Sequence, residues 1–181
     1  MSRVSIQGFS QDALGAALRD IIDHTADADA GSDRTVFALV STRLLAELEP
    51  GAVAEDDTSE LSPILQEIDD LDDFLARAAW PEQVVGAAIS MDIVVVPPKP
   101  GEPGTPRPAR PEDDVDDAGD RRSARLAVGV LRDGPRLAVM RLYPEADGSS
   151  ADDGAADELL THPELAVELR DALAATFAPD I

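Results

Sequence analysis

Apolar residues recur at helical spacing after Ser10, at Leu14, Ala17, Leu18, Ile21 and Ile22, and the Ser10 hydroxyl can satisfy a free backbone N–H, so a helix is predicted over 11–24. The next apolar run, 35–40, is short, carries three β-branched residues and a phenylalanine, and is apolar on both faces, as a buried strand would be. Ser41 or Thr42 can cap a short helix bearing Leu44, Leu45 and Leu48, which Pro50 and Gly51 end. A third helix is predicted from Asp69 and Asp70, whose carboxylates suit the positive end of a helix. It carries Leu71, Phe74, Leu75, Ala78 and Ala79 on one stripe and ends at Trp80-Pro81.

The clearest strand is 84–96. Val85, Ala87, Ile89, Met91, Ile93 and Val95 point one way; Gly86, Ala88, Ser90 and Asp92 point the other. Pro97 and Pro98 close it, and seven prolines between 97 and 122 mark a flexible insertion. Two further strands, 125–132 and 136–143, flank Asp133-Gly134-Pro135 and read as a hairpin. Asp-Gly favours a two-residue turn, but a glycine before proline is restricted, so a three- or four-residue loop is equally open. A last helix over 162–177 is predicted from a capping box, Thr161 to Glu164, with Leu165, Leu169, Leu173 and Phe177 on its stripe.

The order α-β-α-α-β-β-β-α lacks the repeated strand-helix-strand units of a parallel nucleotide-binding sheet. It predicts a single α+β domain over 1–181: an antiparallel four-stranded sheet packed by helices, with acidic loops at about 50–68 and 144–158 and the Pro-rich insertion at about 97–122. Both faces of the hairpin read as apolar or small, with Val128 and Val130 on one of them. Either a second copy or partner covers one face, or helices cover both.

Charge adds a division to this plan. The chain carries 37 acidic and 15 basic residues, a net charge of -22. Residues 47–73 hold eleven acids and no base, 112–120 six and none, and 145–158 six and none, which leaves 14 acids against 15 bases elsewhere. The predicted packed elements are therefore close to neutral, and the acidity sits mostly in connections. Such a potential repels phosphate backbones and anionic lipid, so nucleic acid and membrane are not expected partners. No apolar run reaches the roughly 18 residues of a membrane span and residues 1–10 lack a signal-peptide pattern, so a soluble, cytoplasmic protein is expected.

The chemistry available is narrow. There is no cysteine, the sole lysine is Lys99 in the proline run, and neither a Gly-rich phosphate loop nor a Gly-x-Ser-x-Gly elbow is present. No catalytic residue, metal ligand or cofactor is assigned. Asp20 and His24 stand one helical turn apart, as a metal pair would, but a histidine at a helix C-terminus is favoured by the dipole alone. His162 reads as a first-turn residue of the last helix. Asp27, Asp29 and Asp33 fail the EF-hand spacing, and the acids at 69–73 are explained by capping. Asp92 differs, because an acid in the middle of an apolar strand must be solvated, paired or functional. Arg125 and Arg141, on the two hairpin strands, are its candidate partners. The three form either a cross-strand ion pair or a polar recognition site. Trp80 is either a plug at the core edge or an interface anchor, and it joins Val128 and Val130 as a candidate interface residue.

Ala79-Trp80-Pro81 leading into 84–96 and Pro97-Pro98, then Arg121-Arg122 with 125–134, then Asp157-Glu158-Leu159-Leu160, together with the opening helix, resemble a small uncharacterised family of acidic proteins from high-GC Gram-positive bacteria. The resemblance implies a bacterial cytosolic setting and brings no active site. In build the chain also resembles small dimeric secretion chaperones. The expected function is a non-enzymatic protein-interaction or chaperone-like module that presents an apolar sheet face to a protein partner or to a second copy, as a homodimer. The competing expectation is a small-molecule enzyme with a carboxylate and arginine site around Asp92, the arginines clamping an anion and Asp92 acting as base.

Overall fold

The structure, a computed structural model, describes residues 8–26, 34–96, 107–108, 122–132, 134–143, 159–161 and 165–178. In chain order the elements are α1 (Gln11–Ala26), β1 (Thr35–Ser41), α2 (Thr42–Leu48), β2 (Leu61–Gln66), α3 (Leu71–Arg77), β3 (Val84–Val96), β4 (Arg107–Pro108), β5 (Arg122–Leu131), β6 (Arg136–Leu142), β7 (Leu159–Thr161) and α4 (Val167–Ala175).

The expected α+β class holds, but the four-stranded sheet does not. One open antiparallel sheet runs β2-β1-β3-β5-β6-β7, six strands, and the two-residue β4 pairs with β3 off that path. The two strands added to the expected sheet are its edges. β2 lies inside the stretch expected to be loop. It contains Pro63, which an edge strand tolerates because one side of its ladder is unpaired. Its start is fixed by the Thr42 N–H donating to the Glu60 carbonyl (3.1 Å) and by a Thr42–Ser62 hydroxyl contact of 2.9 Å. β7 takes Thr161 opposite Val139, so Thr161 does not cap the last helix. Helix α4 instead begins at Val167, after Ala166 in the left-handed region at φ 52° and with no side-chain cap. Most of the Pro-rich insertion and the acidic stretch 144–158 lie outside the described residues, as do His162 and Glu164.

Other local signals act as read. Asp70 caps α3, its carboxylate accepting from the Asp73 N–H at 2.8 Å, and Ser41 caps α2 through Leu44 N–H. The hairpin closes with the Leu131 N–H donating to the Pro135 carbonyl at 3.0 Å, which leaves a loop of residues 132–134.

Directly opposed residues of an antiparallel sheet share a face. The row Leu65, Phe37, Ala88, Gly129 and Leu137 therefore faces one way, and α1 lies over it with Leu14, Leu18, Ile21 and Ile22 fully buried. Each such side chain contributes about 1.5–3 kcal/mol. Gly129 sets the depth of this contact: a Cβ there would come within 2.8 Å of both Leu14 and Leu18. The opposite face carries Val36, Ala87, Ile89, Val128 and Val130, and α3 and α4 cover it with Leu71, Leu173 and the partly buried Phe74, Leu169 and Phe177. Helices thus cover both faces. Val128 and Val130 are 0% exposed and present no surface, which corrects their reading as interface residues. The near-continuous apolar run of β5 reflects burial on two sides.

Candidate functional site

The alternation of β3 places Asp92 on the α1 face, and the register carries that position across the sheet: Asp92 lies opposite Arg125, and Arg125 opposite Arg141. The three candidate residues therefore form one row. Helix α1 ends beside it, with the Thr25 hydroxyl 3.3 Å from that of Ser90 and the Asp23 carboxylate 2.8 Å from Arg141 Nη1. The apolar face under α1 turns polar at this end of the sheet.

Arg125 is the centre of the cluster. Its Nε lies 2.8 Å from Asp92 Oδ1 and donates to the Tyr143 hydroxyl at 3.0 Å, while that hydroxyl donates to the same Oδ1 at 2.8 Å. One guanidinium edge, one phenol and one carboxylate oxygen close a triangle. Arg125 is 1% exposed, and among the described residues its Nη1 and Nη2 are buried with no hydrogen-bond partner. A guanidinium offers five donors in a fixed fork, and the described residues engage the one at Nε. A buried donor left unmade costs about 1–3 kcal/mol, more when charged, so the two Nη groups favour an acceptor. Arg141 makes its ion pair with Asp23.

Tyr143, the only tyrosine, was not among the sequence candidates. Its signal was available, since it stands two residues beyond Arg141 and so on the same face of an extended chain. Burial raises its hydroxyl above the usual phenol range; the hydrogen bond from Arg125 lowers it, and donation to Asp92 raises it again. A titration of phenolate absorbance, which reports this residue alone, is expected to give a midpoint above 10. Because the folded state holds this proton more tightly, its contribution to stability is present below pH 10 and is lost as pH rises through the raised midpoint. A midpoint at or below 10 would mean that Tyr143 faces water.

An open cleft of about 420 Å³ adjoins the cluster at Asp92. Asp69, Asp70, Asp92 and Arg34 supply its charged lining, and Ile68, Leu71 and Met91 an apolar strip. Among the described residues, no three histidine or acidic side chains converge to hold a metal ion. His24 Nδ1 lies 2.9 Å from the Asp20 carbonyl one turn back, and Asp27, Asp29 and Asp33 lie outside the described residues.

Trp80 stands apart from this cluster. Its ring stacks on Phe177 (5.7 Å, 16°) and meets the edge of Phe74 (5.5 Å, 70°), and its Nε1 donates to the Thr176 hydroxyl at 2.8 Å. Arg132 fastens the same corner, donating to the carbonyls of Trp80, Pro81 and Val84 and lying over the Phe177 ring at 5.1 Å. Trp80 thus joins the ends of α3 and α4, and its remaining surface lines an apolar groove of about 290 Å³ beside β2.

The architecture defines an α+β protein built on one open antiparallel sheet, with a buried arginine–tyrosine–aspartate cluster where its first helix ends. The chain belongs to the PPA1309-like protein family, whose model matches residues 14–178, a span that includes Asp92, Arg125, Arg141 and Tyr143. No curated protein and no solved structure matches the chain. No helix among the described residues is long and apolar enough to cross a membrane.

Proposed function

We propose that the protein is a non-enzymatic binding protein for a small zwitterion, a molecule bearing both a carboxylate and an amine. The observation that carries this reading is Arg125, buried and, among the described residues, without an acceptor at either Nη atom, paired to the Asp92 that lines a polar cleft. A guanidinium fork matches a carboxylate bidentately, and burial strengthens the pair. The carboxylates of Asp92, Asp69 and Asp70 suit the ammonium, and Ile68, Leu71 and Met91 the hydrocarbon between. A free anion would be repelled by a chain of net charge -22, whereas a neutral zwitterion would not. The catalytic alternative is weaker, because Tyr143 and Arg125 already occupy Asp92 Oδ1 and leave it poorly placed to take a substrate proton. The reading keeps the bacterial cytosolic setting that the sequence resemblance implies.

Calorimetric titration with apolar amino acids tests it, alongside the matched amines lacking the carboxylate and acids lacking the amine. An amino acid is expected to bind at least about tenfold more tightly than either analogue, the worth of one charge-assisted pair. Arg125→Lys is expected to remove the preference for the carboxylate, and binding in the wild type to move the Tyr143 titration midpoint. Equal affinity for the amine and the amino acid, or no binding at millimolar concentration, would reject the proposal.

A further inference from the structure

A second surface stands on its own observations, independent of the Arg125 cluster. Among the described residues β2 is an edge strand, paired with β1 on one side, and it exposes Ile64 (37%) and Leu65 (59%). Ile64 and Gln66 face the groove whose floor is Ala38, Val40 and Val84 and whose wall is Trp80. The six residues of β2 are uncharged, yet Glu60 and Glu67 bracket them and the surrounding stretch 47–73 holds eleven acids and no base. At its free end the strand satisfies itself, the Gln66 amide donating to the carbonyls of Ile64 (3.1 Å) and Leu65 (3.3 Å).

From these features we infer that β2 and the Trp80 groove receive an extended basic segment of a partner protein by strand addition. An open edge offers main-chain hydrogen bonds to any extended chain, and side chains at alternate positions decide which one is accepted. Here every second side chain of the added strand packs beside Ile64 and Gln66 at the outer lip of the apolar groove, and the flanking positions meet carboxylates. Charge selects the occupant. Antiparallel pairing of two copies centred on Pro63 and Ile64 would set Glu60 of each against Glu67 of the other, so the edge rejects a second copy by the repulsion that draws lysine or arginine. Pro63 removes one donor and so narrows the registers available.

Trp80 is the only tryptophan and lines the groove, so its emission reports occupancy directly. The probe is a synthetic peptide of alternating valine and lysine, compared with the same peptide N-methylated at alternate backbone amides, which keeps the charge and removes the strand's donors. The alternating peptide is expected to saturate a Trp80 emission change. The N-methylated form is expected to bind about tenfold or more weakly, and Ile64→Ser to weaken the parent peptide several-fold. Binding should fall when salt is raised from about 0.1 M to about 1 M, as the Debye length drops from about 10 to about 3 Å. Equal binding of the N-methylated peptide would reduce the effect to charge attraction and overturn strand addition. Unchanged affinity in a folded Ile64→Ser variant would remove β2 as the site. Sedimentation showing a dimer that Ile64→Ser dissociates would assign the edge to a second copy instead.

Discussion

Val128→Asp is expected to destroy the cooperative thermal transition, not to leave a folded protein with a lost interface. Val128 has no exposed surface; it sits opposite Ile89 in the sheet and in one cluster with Leu126, Ala138, Met140 and Leu165. A carboxylate there must be buried charged or take up a proton, and either course costs several kcal/mol before the lost apolar contacts are counted. Against a total stability of about 5–15 kcal/mol, that leaves little folded population. Leu65→Asp, at a side chain 59% exposed on the sheet edge, should by comparison change stability by about 0.5 kcal/mol or less. Circular dichroism melts of the two variants check the contrast. A Val128→Asp protein melting within a few degrees of the wild type would return the hairpin to the surface.

The same residue shows why the sheet was only partly legible. A run apolar on both faces marks a central strand covered twice as much as an open sticky face, and local sequence does not choose between them. What chooses is the number of helices within reach, which depends on where α4 packs. The long periodic elements were legible: α1 from its stripe, β3 to both of its ends, the hairpin from alternation and turn residues. β2 was hidden by Pro63 and by the acid around it, both of which suit an edge. β7 was hidden because three residues carry no period, and because Thr161 and Glu164 spell a capping box that strand pairing with β6 overrides. At the polar row, Asp92 stood out as a charge inside an apolar alternation, and Arg125 followed from the hairpin. That Arg141 pairs with Asp23 depends on how α1 is set across the sheet, which no spacing within α1 states.

Breaking the Asp92–Arg125 pair from its two ends is expected to give unequal costs. Asp92→Ala leaves a guanidinium at 1% exposure without its counter-charge and should cost about 3–5 kcal/mol. For a chain of this length that is a fall in melting temperature of roughly 6–20 °C. Arg125→Met leaves the carboxylate at 19% exposure on the rim of an open cleft, where water reaches it, and replaces the cation with an apolar side chain of similar length. Its cost should be smaller. The double variant, with neither charge buried, should be more stable than Asp92→Ala alone, giving a favourable coupling of about 1–3 kcal/mol between the two changes. Urea titrations of the wild type, both single variants and the double variant measure all three quantities. If both single changes cost under about 0.5 kcal/mol, the pair behaves as an exposed surface bridge, and neither the burial of Arg125 nor the binding reading built upon it would stand.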